Sequence, residues 1–187
     1  MTKTVGEVLI TLLERRGVDT IFGIPGVHTV EMYRGLDGSG IRHITPRHEQ
    51  SAGFMADGYA RATGKPGVCL LITGPGLTNI ITPMAQARAD SVPMLVLSGV
   101  NRAATFGHEE GFLHELPDQR AMMREVALWS HTMHRGADLE RVVDRAFAAM
   151  TGARPGPVHI EVPLDVMREQ IEVPAPRAPV STRRMPD

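Results

Sequence analysis

Arg47-His48-Glu49-Gln50, running into Ala56-Asp57-Gly58-Tyr59-Ala60-Arg61, holds the acid best placed for chemistry. Glu49 stands where the expected strand Ile41-Arg42-His43-Ile44-Thr45 hands over to a helix. A carboxylate at the carboxyl end of a strand in an open α/β sheet lies where such folds bind ligands. The helix dipole alone also favours an acid in the first turn, so position leaves both readings open. Two further loops follow strand-like runs, Ile24-Pro25-Gly26-Val27 and Thr73-Gly74-Pro75-Gly76-Leu77-Thr78-Asn79. Their glycines and prolines give fixed turns and close backbone approach, which leaves Glu49 as the ionisable group with an evident task. The third loop lacks the Lys-Ser/Thr ending of a P-loop, and its glycine spacing fails GxGxxG. Small residues after Glu49, namely Ala52, Gly53, Ala56, Gly58 and Ala60, would admit another backbone or a flat ligand.

Positioning these loops requires a particular order of elements. Thr4-Val5-Gly6-Glu7 has capping-box spacing, and Val5, Val8, Leu9, Leu12 and Leu13 recur at helical intervals until Gly17. Strands are expected at 19–23, 41–45, 67–72, 92–98, 128–133 and 157–162. Helices are expected up to about Gly35 and at 48–62, 76–89, 117–124 and 138–151. Strand and helix alternate without a hairpin signal, and the strands are apolar runs rather than alternating ones. That pattern predicts an α/β fold, a doubly wound, mostly parallel sheet of about six strands with helices on both faces. In such a sheet the three loops line one edge and can converge on one ligand.

The chain of 187 residues is 42% hydrophobic, enough for one well-buried domain, expected over 1–165. Residues 166–187, with Pro174, Pro176, Pro179, Ser181, Thr182 and Pro186, are expected to form a Pro-rich linker or tail. A formal net charge of −1, with no dense basic block before Arg183-Arg184, argues against nucleic acid or an anionic membrane as a partner. The single cysteine, Cys69, sits in an apolar strand and reads as a core residue. No signal peptide or membrane-length apolar run is evident, so a cytoplasmic location is expected. His131 and His134 lack the further ligands a metal set needs. His48 is open to a local hydrogen bond or a place in the pocket, and His28 and His159 read as structural or solvated. Trp129 and Phe147 read as core anchors.

The strings FGIPG, RHEQ with ADGYARATGKPGV, and TGPGLTN resemble the pyrimidine-binding domain that opens the acetolactate synthase-like and 2-oxo acid decarboxylase group of thiamine diphosphate enzymes. The likeness runs from about Thr4 to Val162. It implies that Glu49 is catalytic, its carboxyl hydrogen-bonded to the aminopyrimidine and controlling proton movement on thiamine diphosphate. Pro25, Gly26, Val27, Thr73, Pro75 and Asn79 would border the same ring. The family's GDG sequence followed by an Asn, which holds Mg²⁺ and through it the diphosphate, does not occur here. The chain is therefore expected to be the first third of a longer enzyme, inactive alone, with Mg²⁺ supplied through a separate diphosphate-binding domain. FAD in a middle domain is not indicated. The resemblance also implies a 2-oxo acid substrate and a homodimer or homotetramer.

The substrate loop departs from the acetolactate synthase pattern. Those enzymes carry Phe-Gln-Glu there, whereas this chain has Phe112, Leu113 and His114, and Leu113 replaces the amide that would face substrate. The adjacent histidine pair of pyruvate decarboxylase-like enzymes is missing too, because His108 and His114 are separated. FGIPGVHTVEMYRGLDGSGIRH, with LHE further on, resembles decarboxylases of arginine catabolism that act on a guanidino-2-oxo acid. The main expectation is a decarboxylase of acetolactate synthase type that can also ligate carbonyl units. The alternatives are the guanidino-oxo acid enzyme and a stand-alone self-association module without catalysis.

Overall fold

The computed structural model describes residues 1–176, so the expected tail residues Pro179, Ser181, Thr182 and Pro186 lie outside the described residues. In chain order the first elements are β1 (Thr2–Thr4), α1 (Val5–Arg15), β2 (Thr20–Gly23), α2 (Val30–Leu36), β3 (Arg42–Ile44), α3 (Glu49–Thr63) and β4 (Gly67–Leu71). Then come α4 (Pro75–Thr78), α5 (Ile81–Ala89), β5 (Met94–Val100), α6 (Gln119–Arg124), β6 (Trp129–Thr132), α7 (Leu139–Met150), β7 (Pro157–Pro163), α8 (Leu164–Met167) and β8 (Gln170–Glu172). Strands β2 to β7 form one parallel sheet of six strands in the order β3-β2-β4-β5-β7-β6.

The apolar strands feed two cores. Ile21, Val68, Leu70, Leu95 and Leu97 join α1, α2 and α7 on one face. Their neighbours Phe22, Cys69, Leu71, Met94 and Val96 join α3, α5 and α6 on the other. Successive side chains of a strand point to opposite faces, so a sheet covered on both sides needs an apolar residue at every position. Each large aliphatic side chain so buried contributes about 1.5–3 kcal/mol. Cys69 is fully buried, and burial pushes its thiol up, as a core residue rather than a nucleophile. The capping box closes as expected: Thr4 N–H donates to Glu7 Oε2 at 2.8 Å, and Glu7 N–H donates to Thr4 Oγ1 at 3.3 Å.

Two departures from the sequence expectation have physical causes. The helix expected at 76–89 is split into α4 and α5 at Asn79-Ile80. Pro83 has no N–H to give to the carbonyl four residues back, that of Asn79, and its ring crowds that carbonyl. Regular structure also continues past the expected boundary at 165, because β8 pairs antiparallel with β1 and Val5 N–H donates to Glu169 carbonyl at 2.9 Å. Ile171 and Val173 pack against the first core. Strands of three residues show no periodicity, and their partners lie at opposite ends of the chain.

The small residues of α3 serve packing. Ala52, Ala56 and Ala60 are buried in the second core, and a Cβ on Gly53 would lie 2.3 Å from Pro83 Cγ on α5. Gly58 faces open space. Among the described residues no helix is long and apolar enough to cross a membrane.

Candidate functional site

The chain leaves β2 for β3 on one side and passes back to β4 on the other, so the loops after β2 and β4 diverge and leave a crevice between them. Glu49, the first residue of α3, enters this region from the loop after β3. His48 caps α3: its Nδ1 accepts from Gln50 N–H at 3.1 Å. Of the two roles open to His48, the local hydrogen bond is the one observed.

Glu49 is half-buried, and its Oε2 accepts from Asn79 Nδ2 at 2.8 Å. Its Oε1 has no hydrogen-bond partner among the described residues. The break between α4 and α5 delivers Asn79, since Asn79 caps the end of α4 rather than continuing a helix. A Cβ on Gly76 would lie 3.4 Å from Glu49 Oε1 and 2.5 Å from Ile72 Cγ1, and one on Gly26 would lie 2.3 Å from Ile72 Cγ2. Ile72 therefore packs between the first and third loops, with glycine on both sides and Glu49 beside it. Pro25, Val27 and Pro75 are exposed at the rim, Val27 at 64%. The result is an open face with a flat apolar wall, one carboxylate oxygen held by an amide and the other uncommitted.

Thr73 does not join this group. It is 1% exposed, and its hydroxyl donates to Gln119 Oε1 at 2.6 Å, so its polar atom is used inside the sheet. The loop of Phe112, Leu113 and His114 does reach the neighbourhood. A Cβ on Gly74 would lie 2.2 Å from the His114 carbonyl oxygen, which is why glycine is needed there, and Gly74 also has φ +61°. The His114 ring stacks on His28 with centroids 5.7 Å apart, and Asn101 ties His28 to the same loop: its Oδ1 accepts from His28 Nε2 at 3.3 Å and its Nδ2 donates to the Leu113 carbonyl at 3.3 Å. Phe112 and Leu113 are 37% and 57% exposed. His28 is 2% exposed, and burial pushes its pKa down.

Sequence reasoning missed a buried polar network behind the third loop. Gln119 Nε2 donates to Glu161 Oε2 at 2.8 Å, Thr132 Oγ1 donates to Glu161 Oε1 at 2.5 Å, and His159 bonds Ser98 and Ser130 at 2.9 and 2.8 Å. Burial raises the Glu161 carboxyl and pushes His159 down to about 3. The available signal was His159 and Glu161 interrupting an apolar strand, Val158-His159-Ile160-Glu161-Val162, in a sheet covered on both faces. Thr73, Gln119 and Glu161 line a cleft of about 270 Å³ together with Asn101, Phe106 and His134.

The remaining motif residues fasten the scaffold. Arg61 pairs with Asp57 and Asp90, each at 2.6 Å, while Tyr59 and Lys65 both bond Asp19 at 2.5 Å. These bonds hold Asp19 down to about 2 and clamp α3 beside β2. No cluster of three His, Cys, Asp or Glu side chains placed to hold a metal occurs among the described residues.

Residues 3–122 match the family described as thiamine pyrophosphate enzyme, N-terminal TPP binding domain. The chain is 57% identical over 166 residues to a protein of Pseudomonas aeruginosa named a probable 2-ketoarginine decarboxylase, covering 89% of this chain and 30% of that protein. It is 37% identical over 185 residues to the chloroplastic acetolactate synthase of Arabidopsis thaliana, covering 96% and 27%. With the mitochondrial acetolactate synthase catalytic subunit of Saccharomyces cerevisiae it shares 37% over 174 residues, covering 92% and 25%. The chain thus spans 30% or less of the length of these relatives.

Proposed function

Because the chain belongs to the thiamine pyrophosphate enzymes, as their N-terminal TPP-binding domain, we propose that it forms the aminopyrimidine half of a site that decarboxylates a 2-oxo acid and can ligate the product to a second carbonyl. Thiamine diphosphate, when bound, would supply the carbanion and electron-sink chemistry that decarboxylation of a 2-oxo acid needs. Glu49 is the proposed catalytic residue, and the observation that carries it is the asymmetric carboxylate: Oε2 fixed by Asn79 and Oε1 uncommitted above a glycine. A planar, hydrogen-bonding heterocycle suits this surface. Gly26, Gly76 and Ile72 offer it a flat apolar wall, and Oε1 is left to exchange a proton with a ring nitrogen. Asn79 keeps the carboxylate from rotating away. Pro25, Val27 and Pro75 would border the ring from the rim, while Thr73 supports the loop from behind.

Mg²⁺ and the diphosphate would be held by a separate domain, and a second subunit would complete the site. Val27, Val30, Phe54 and Met55 are 64%, 43%, 46% and 43% exposed on the elements that carry Glu49 and the first loop. Large apolar side chains exposed around a half-site support a partner surface there. The finer question of substrate has a second reading: the 57% identity to the 2-ketoarginine decarboxylase, against 37% to the acetolactate synthases, favours a guanidino-2-oxo acid as donor. Leu113, in place of an amide, agrees with it.

The test is Glu49→Gln in the full-length protein, assayed with pyruvate and with a guanidino-2-oxo acid. Turnover should fall by about 10²–10⁴-fold with both, the range of general acid–base catalysis. Survival within a few-fold would refute the role of Glu49. The preferred donor in the unmodified enzyme decides between the two substrate readings.

A further inference from the structure

We infer that Gln119 is a positioning residue for the Glu49 site, acting through the Thr73-Gly74-Pro75-Gly76 turn; this rests on the proposed role of Glu49. Gln119 is 4% exposed at the start of α6. Its Oε1 accepts from the Thr73 hydroxyl at 2.6 Å and from Gly74 N–H at 3.2 Å. Its Nε2 donates to the Gly99 carbonyl at 2.9 Å, to Glu161 Oε2 at 2.8 Å and to Ser98 Oγ at 3.3 Å. The amide can point only this way, because a backbone N–H can only donate and a backbone carbonyl can only accept. Among the described residues, no other group bonds the Thr73 hydroxyl or Gly74 N–H.

From that anchor to Asn79 there is one tight turn. Thr78 N–H donates to Gly74 carbonyl at 2.9 Å, Asn79 N–H to Pro75 carbonyl at 3.4 Å, and the Thr78 hydroxyl to Pro75 carbonyl at 2.9 Å. Gly74, at φ +61°, is the residue at which the turn can rotate. Rotation there would carry Asn79 off Glu49 Oε2. Gln119 blocks it by tying both Thr73 and Gly74 to β5 and β7, so it sets the carboxylate without touching it or the cofactor.

Gln119→Glu separates the two halves of this job. The introduced carboxyl still accepts from Thr73 and Gly74, but it sets an oxygen against the Gly99 carbonyl and Glu161, where a proton is now required. The titratable and charged groups around it are Glu161 on β7, Asp118 and Arg120, which both act on the Glu161 carboxyl, and His159, reached through Ser98. In ¹⁵N-labelled chain, the Asn79 side-chain amide signal reports the bond to Glu49, and Glu49→Gln supplies its bond-altered position. In Gln119→Glu the signal should be native-like near about pH 5 and move to the altered position by about pH 8, as the shared proton is lost. Turnover of the full-length variant should fall about 100-fold over the same range relative to the unmodified enzyme, the scale of a 1 Å misplacement. Thr132→Val removes the other bond to Glu161 without touching the turn, so it should lower stability and leave the Asn79 signal in place.

If Gln119→Glu fails to fold, Thr73→Val removes one bond to Oε1 and should shift the signal part of the way. An Asn79 signal unmoved at every pH in Gln119→Glu, or unmoved in Thr73→Val, overturns the inference. If instead Glu49→Gln leaves turnover intact, the proposed function fails, while the Asn79 signal still decides the role of Gln119.

Discussion

At the scale of single residues, the carboxylate of Glu49 is usable because its two oxygens are not equivalent. Asn79 holds one at 2.8 Å and glycine leaves the other bare. Asn79→Ala should therefore weaken function more than folding. A hydrogen bond to a charged group contributes about 1.5–3 kcal/mol, and Glu49 is only half-buried, so thermal stability should drop by about 1 kcal/mol or less while full-length turnover drops about tenfold. A loss of stability with turnover unchanged would mean that Asn79 supports the fold alone. Glu49 was visible in the sequence because a lone acid stood between an expected strand and an expected helix. Its partner Asn79 was visible only as part of a motif, since nothing local says that a residue 30 positions away meets it. The direction of the Thr73 hydroxyl was hidden for the same reason: a threonine in a Gly/Pro loop reads alike whether its hydroxyl faces a ligand or a buried glutamine.

Elements explain how Asn79 arrives. Pro83 ends the intrahelical ladder at Asn79, and the resulting cap between α4 and α5 turns the side chain to Glu49. Pro83→Ala would let the two helices fuse. Proline costs about 3 kcal/mol in a helix interior relative to alanine, but Pro83 also packs against Gly53 of α3, so net stability should change little. Turnover should fall by about tenfold or more, since misplacement of about 1 Å costs up to 10²-fold. Circular dichroism and a thermal melt alongside the assay check this, and unchanged turnover with increased helicity would contradict the role given to the break. The alternation of strand and helix was legible because the helices carry a helical apolar period while the central strands read as short, continuous apolar runs. The break was legible in principle from Pro83, whereas β1 and β8 were not, since each is three residues long and pairs across the whole chain.

Across the whole molecule, the polar network around β7 makes stability depend on pH. His159 takes a proton near its ordinary 6.5 when unfolded but only near 3 when folded, because burial penalises the cation. Between those values the unfolded state binds more protons, so stability falls as pH drops from about 6.5 toward 3, by up to about 1.4 kcal/mol per pH unit. Glu161 acts in the opposite sense: its raised carboxyl keeps a proton that the unfolded chain releases, and its contribution weakens as pH rises above 4.5. Urea unfolding of the chain from pH 4 to 7 should show the acid-side loss, and His159→Asn should flatten it; the same slope in both would rule out His159 as its source. This network escaped the sequence because Gln119, Thr132 and Glu161 come from three elements and meet only once the sheet is ordered.

The central claim is that Glu49 controls proton movement on bound thiamine diphosphate. The direct measurement is the rate at which the thiazolium ring-carbon proton exchanges with deuterium in the full-length protein, for the native sequence and for Glu49→Gln. Exchange should slow by about 10²–10⁴-fold in the variant with cofactor still bound. Exchange retained within a few-fold would contradict the assignment.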